Sequence, residues 1–390
     1  MFRECKTHEK EIIAMRRDLH RIPEIGFNLP ETCAYVMNKL NEFGIEYEFI
    51  EEYSGIVAYI NKGKGRVLAF RADMDALNVS EETGLEYASV HEGKMHACGH
   101  DAHTAMLLEA AKVLNEHKDD FAGEIRFIFQ PYEEGTCGAA KMVELGVLNG
   151  VDMIFGTHIG SLMGMNYPAG KVIAFPGAMM ATSDRFTVKV FGKGCHGSTP
   201  ELGIDPISVA AHIVLAYQEI PAREISATES AVVSVCTINA GNQSNAYPES
   251  AILTGTVRTF DVELSNRIEK RMREIAEATA CAYRASVEFE YRHGPAPVIN
   301  DPDATALAIK SAREVLGDDE IITEAKPTMV AEDFSVYQQI VPGAFLQLSA
   351  VNHEKKADFP HHGSHFDIDE AVLWKGSAVF VKIAENFFIS

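Results

Sequence analysis

Up to about Gly177, short apolar runs alternate with stretches in which apolar residues recur every three or four positions, the rhythm of strands alternating with helices. Arg66-Val-Leu-Ala-Phe70, Glu124-Ile-Arg-Phe-Ile-Phe-Gln-Pro131 and Val151-Asp-Met-Ile-Phe155 read as buried strands. Leu107, Leu108, Ala111 and Leu114 form the apolar stripe of a helix that starts after His100, with Asp101 or Thr104 as its cap. From Asp184 the order changes to strand (Arg185 to Phe191), helix (Ile207 to Gln218), strand (Ala231 to Asn239), strand (Ala251 to Phe260), helix (Val262 to Ala280) and strand (Ser286 to Tyr291). That β-α-β-β-α-β order is the ferredoxin-like split unit. After Pro295-Ala-Pro297 the first rhythm returns and supplies another strand, Ala344-Phe-Leu-Gln-Leu-Ser349. The pattern predicts an α/β protein: a doubly wound sheet domain built from residues 1–182 and 295–390, with a small ferredoxin-like domain, residues 183–294, inserted in it.

Length supports that division, since 390 residues exceed the size at which one core stops growing. A formal charge of -21 would repel nucleic acid and anionic membrane alike, so neither is expected as a partner. The start, Met1-Phe-Arg-Glu-Cys-Lys-Thr-His8, has no apolar leader, and no later run is long and apolar enough to span a bilayer. Seven scattered cysteines fit a reducing compartment better than a disulfide framework, and the expected location is the cytoplasm.

Candidate chemistry concentrates in Met95-His-Ala-Cys-Gly-His-Asp-Ala-His-Thr104. Thiolate and neutral imidazole are the side chains that bind zinc and similar ions best, and Cys98 and His100 flank a single glycine. Two residues apart on a helix would face different ways, so the pair can converge on one ion only from a turn or an extended segment. Further polar groups follow the strands: Glu133 and Glu134 after the second, His158 after the third, Pro360-His361-His362-Gly363-Ser364-His365-Phe366-Asp367 after the last, and Arg71-Ala-Asp73-Met-Asp75 at the end of the first. Open α/β sheets bind ligands outside the carboxyl ends of their strands, which would gather these groups in one crevice. Of the glutamate pair, one carboxylate is expected on a metal and its neighbour free to take a proton from water. Other motifs fail on spacing. His91 and His96 are five apart and cannot share a helical face, Gly192-Lys193-Gly194 is no phosphate loop, and no Gly-x-Gly-x-x-Gly opens a helix after a strand.

Arg71-Ala-Asp-Met-Asp-Ala-Leu77, His96-Ala-Cys-Gly-His-Asp-Ala-His-Thr104, Gln130-Pro-Tyr-Glu-Glu134, Gly192-Lys-Gly-Cys-His-Gly-Ser-Thr-Pro200, Gly255-Thr-Val-Arg258 and Glu332-Asp-Phe334 resemble, in order, the motifs of the metal-dependent aminoacylase/carboxypeptidase amidohydrolases. The nearest branch is that of hippurate hydrolase and the indole-acetyl-amino-acid hydrolases. The resemblance runs from Arg16 to Glu370. It implies two divalent ions per chain, Zn or Mn with Co or Ni as alternatives, held by Cys98, His100, Glu134, His158 and His362, with Cys98 bridging. It also implies Glu133 as general base and Asp75 as the group that orients a ligand imidazole. His196, Asn245 and Arg258 would grip the scissile carbonyl oxygen and the substrate carboxylate. His196 would reach the neighbouring subunit's site in a homodimer formed through the inserted domain, which would act as dimerisation and lid domain.

Some residues have plainer readings. His361 and His365 fit loop or supporting positions, because only His362 has the family's four-residue offset to Phe366. His103 fits helix start and packing, and His8, His20, His117, His212 and His353 fit ordinary surface or core positions. Met163, Met165, Met179 and Met180 fit packing better than an acyl pocket. Asn78, Tyr132, Cys195, Ala246-Tyr247 and Gly363-Ser364 depart from the family's usual residues, though none is a proposed ligand. The expected activity is hydrolysis of the amide bond of an N-acyl amino acid, with a dipeptidase, carboxypeptidase or aminobenzoyl-glutamate hydrolase using the same site as the competing reading.

Overall fold

The structure, a computed structural model, describes residues 1–389. Contacts divide the chain into two compact units, one made of Met1–Met179, Val298–Thr328 and the chain from Glu332 onward, the other of Met180–Pro297 with Met329–Ala331.

The larger unit is built on an eight-stranded sheet in the order Glu46–Ile50, Gly55–Ile60, Glu124–Gln130, Val67–Asp73, Met153–Gly160, Gly343–Ser349, Val172–Ile173, Ile321–Ile322. Its central four strands run parallel, whereas Gly55–Ile60 is antiparallel to its neighbour. Val67–Asp73, Glu124–Gln130 and Gly343–Ser349 are buried at every residue, which requires cover on both faces and explains why they read as apolar runs instead of alternating ones. Helix Leu373–Ile389 lays Phe380 against Phe70, which also meets Phe127 and Phe155. Those rings form the middle of a core continuous with helix His100–Glu116.

Two local expectations are corrected. The helix starts at His100 itself, and its N-cap is Gly99 in the left-handed region (φ 91) with no side-chain cap. Asp101 is taken by Arg16 and His20, and Thr104 donates to the Asp73 carbonyl, so neither is available as a cap. The third strand spans Met153–Gly160, so His158 lies inside it instead of in a loop beyond it.

The smaller unit is the ferredoxin-like β-α-β-β-α-β, with strand order Ala231–Ala240, Ser250–Thr259, Asp184–Phe191, Ser286–Arg292, antiparallel throughout. Asp184–Phe191 alternates buried and less buried residues: one face is packed and the other is open. Phe186, Val188 and Val190 on the packed face meet Val209, Ile213 and Tyr217 of helix Pro206–Tyr217 and Leu264, Ile268 and Met272 of helix Val262–Ala282. Among the described residues no helix is long and apolar enough to cross a membrane.

Candidate metal centre

At the carboxyl ends of the parallel strands, donors from four segments converge. Cys98, His100 and His158 place one donor atom each within 4.8 Å of one another, and so do Cys98, Glu134 and His362. The same thiol belongs to both groups. His100 is also grouped with Glu133 and Glu134.

The orientation of each ring follows from its backbone neighbours. His158 uses Nδ1 to donate to the Ile159 carbonyl at 2.8 Å, which leaves the Nε2 lone pair facing Cys98 Sγ at 3.4 Å. Both nitrogens of His100 and one oxygen of Glu134 are buried without a hydrogen-bond partner. The carboxylates near His100 stand off at 3.5 Å (Asp75), 3.7 Å (Asp73) and 3.9 Å (Glu134), too far for hydrogen bonds. An unmet buried polar atom costs about 1–3 kcal/mol. A cation among these atoms removes that cost, and thiol, imidazole and carboxylate together suit a borderline divalent ion.

Electrostatics agree. Burial alone would keep His100 neutral, but Asp73, Asp75 and Glu134 outweigh it and hold its pKa up at about 10. The position therefore demands positive charge, which a divalent ion supplies while displacing the proton. Burial first, and then Glu134 and Glu133, push the Cys98 thiol well above its usual range. A cation in the site reverses that balance.

The two glutamates are driven apart. Burial, reinforced by Glu332, Glu134 and Asp333, raises the Glu133 carboxyl well above its ordinary value. For Glu134, burial is overcome by His362 and His100, and its pKa falls. Asp75 fixes both backbones: Oδ1 accepts the Glu133 N–H at 2.9 Å and Oδ2 the Glu134 N–H at 3.2 Å. Its reach to the imidazole of His100 is the longer of its contacts.

Several residues to which the sequence reading gave no specific task there lie bonded around the candidate centre. Arg71 is fully buried and donates to Gln130 Oε1, Asp73 Oδ2 and Asp333 Oδ1, each at 2.8 Å, and it pairs with Glu332 at 3.1 Å. Asp73 in turn accepts from His103 Nδ1, whose Nε2 accepts the Ile159 N–H. Both nitrogens of His103 are thus used, a hydrogen-bonded task beyond the helix start and packing expected of it. The available signal was an arginine and an aspartate inside a wholly buried strand, since such charges must be paired. His361, set aside as a loop residue, places Nδ1 3.7 Å from Cys98 Sγ. His362 is the most exposed of the expected ligands, with 54% of its side chain accessible and Nε2 3.4 Å from Glu134. It adopts a left-handed backbone (φ 64), held by its N–H to the Ala97 carbonyl at 2.8 Å.

The remaining expected residues lie in the smaller unit. His196 and Asn245 are adjacent there: His196 pairs with Ala246 across a two-stranded ribbon, and the Gly197 N–H donates to the Asn245 carbonyl at 2.7 Å. Arg258 stands apart on Ser250–Thr259, donating to the Thr182 carbonyl, in an open hollow of about 390 Å³ that it shares with Arg185, Arg292 and Cys236.

The profile of peptidase family M20/M25/M40 matches residues 69–386. The chain is 39% identical to thermostable carboxypeptidase 1 of Saccharolobus solfataricus, over 97% of this chain and 96% of that one. It is 37% identical to N-acetyl-L-cysteine deacetylase of Bacillus subtilis, over 98% and 90%. Its fold matches the crystal structure of a dinuclear metal-binding peptidase of the M20 family from Bacillus subtilis, with TM-score 0.85 and 35% identity over 98% of this chain and 99% of that one.

Proposed function

The chain belongs to peptidase family M20/M25/M40, whose relatives here are hydrolases of amide bonds, and on that premise we propose that it cleaves N-acyl amino acids with two divalent ions held by Cys98, His100, Glu134, His158 and His362. The observation that carries this reading is the membership of Cys98 in two separate donor groups. One thiolate between two groups of donors suits a bridge, because it can offset charge on both ions at once.

Bound ions would polarise the scissile carbonyl and make water acidic enough to lose a proton near neutral pH. Glu133 takes that proton as the water attacks, and passes it to the departing amine. It is buried beside His100 and Glu134, where it can hold the proton between the two steps. Glu134, kept ionised by its imidazole neighbours, is suited to ligation instead. Asp75 positions the two by their backbones. We assign His196 to the carbonyl oxygen and Asn245 and Arg258 to the rest of the substrate, including its carboxylate. A homodimer through the inserted unit would present His196 to the neighbouring subunit's ions, leaving that unit to serve as lid and dimerisation domain. Zn and Mn suit the donors, as do Co and Ni, and cellular supply then decides among them. The cysteines, all free, support a cytoplasmic setting.

A second reading, hydrolysis of peptides or of aminobenzoyl-glutamate by the same residues, is favoured by the likeness to a carboxypeptidase. Steady-state kinetics on hippurate, N-acetyl amino acids, aminobenzoyl-glutamate and dipeptides separates the two. The proposal expects the highest kcat/KM on an N-acyl amino acid, and a dipeptide or aminobenzoyl-glutamate ahead of all of them would replace it by the second reading.

A further inference from the structure

His361 is neither one of the proposed ligands nor an ordinary loop residue. Its Nε2 accepts the backbone N–H of Ser161 at 2.9 Å. A backbone amide can only donate, so Nε2 carries the bare lone pair and the ring proton sits on Nδ1. Nδ1 is the atom that lies 3.7 Å from Cys98 Sγ, within reach of a hydrogen bond to sulfur.

The ring is held in that pose from several sides. It packs against Phe366 at 4.6 Å and His158 at 5.2 Å between ring centroids. Gly160 makes room for it: a Cβ there would fall 2.4 Å from His361 Nε2, and the glycine's φ of +109 is one that side-chain-bearing residues rarely adopt. Gly160 ends the strand that carries His158, and Ser161 directly follows it. One short stretch thus orients two imidazoles on the same sulfur.

We propose that His361 is a positioning residue for Cys98, donating its Nδ1–H to the sulfur and fixing the direction in which the thiolate presents its lone pairs to the two donor groups. The inference rests on the reading of Cys98 as an ion-binding thiolate. Groups that orient a metal ligand in this way typically contribute 10–100-fold in metal affinity. A hydrogen bond to a thiolate also lowers the energy of its lone pairs, and so raises the energy of sulfur-to-metal charge transfer.

The test uses full-length protein stripped of metal and reloaded with Co²⁺, in the wild type and in Cys98→Ser, His361→Gln and His361→Asn. Asparagine places an amide N–H where Nδ1 lies, whereas glutamine places its amide where Nε2 lies and offers nothing to the sulfur. The readouts are the near-ultraviolet charge-transfer band and the Co²⁺ dissociation constant from chelator competition. We expect His361→Gln to move the band to longer wavelength and weaken binding by about 10–100-fold, with His361→Asn close to wild type in both. Wild-type band and affinity in His361→Gln, or equal loss in both variants, would overturn the donor role. Absence of the band in the wild type, or its survival in Cys98→Ser, would instead remove the thiolate reading on which the inference stands.

Discussion

Glu133 and Glu134 are chemically identical neighbours that the fold treats in opposite ways. Burial, reinforced by nearby carboxylates, raises the first one's affinity for a proton, whereas imidazoles overcome burial at the second and lower it. If the first is the base, Glu133→Gln should bind metal and fold as the wild type does while kcat falls by about 10²–10⁴-fold, the range for a positioned general base. Near-normal turnover would remove it from that role. A second buried carboxyl bears on stability. Glu109 is held at 2.7 Å by His8 through one oxygen, while the other is buried without a partner. Burial pushes its pKa up to about 7, against the partial relief that His8 gives. Between the unfolded value near 4.5 and that figure, the native state keeps a proton that the unfolded chain has released, so stability falls as pH rises through the window. The loss amounts to about 3 kcal/mol once pH passes 7. Glu109→Gln should therefore flatten the decline in Tm between pH 5 and pH 8, and a variant that declines as steeply as the wild type would refute the assignment. The candidate metal donors could be picked out at this scale because thiol, imidazole and paired carboxylate are rare in such proximity. Arg71 and Asp73 were placed in the crevice but given no specific task, since which buried charges pair is a matter of tertiary packing.

At the scale of elements, the strands were legible as apolar runs and their ends were not. The reading stopped the third strand at Phe155, yet it continues through His158 to Gly160 because hydrogen bonding to Gly343–Ser349 continues. Local polarity suggested a loop, and pairing with a distant segment outweighed it. The helix cap failed for a related reason. Asp101 is a good cap by type, but burial among Arg16 and His20 gives it another task. Gly99 caps instead, and its shape is exacting: φ is 91, and a Cβ there would sit 2.7 Å from Ile159 Cγ2. Because this glycine sets the angle between Cys98 and His100, Gly99→Ala should combine about 1–3 kcal/mol of destabilisation, from strained backbone, with weaker metal binding. Thermal melts and chelator titration of the same sample would check it. Unchanged Tm and affinity would show that the turn is less constrained than its geometry implies.

For the whole molecule, the change of rhythm at Asp184 located a unit of different architecture, because a sheet with one open face alternates where a doubly covered one does not. A part for that unit in the reaction was read only from resemblance, since among the described residues no cluster of potential metal donors falls in it. If a homodimer brings His196 to the neighbouring subunit's ions, inactive His196→Ala and Glu133→Gln chains should complement each other. Random exchange makes about half the dimers mixed, and one site of each mixed dimer is then intact, so activity should recover toward roughly a quarter of the wild-type sites. Proven exchange without recovery would place His196 in its own chain's site or outside catalysis.

The account as a whole depends on Cys98 serving two donor groups at once. Elemental analysis of purified wild-type and Cys98→Ala protein, with metal measured per chain, tests it most directly. Two ions are expected in the wild type and a loss of one or both in the variant, because alanine offers no donor to either ion and the buried thiolate has no ready substitute. A Cys98→Ala protein that keeps two ions per chain with unchanged affinity would contradict the bridging centre.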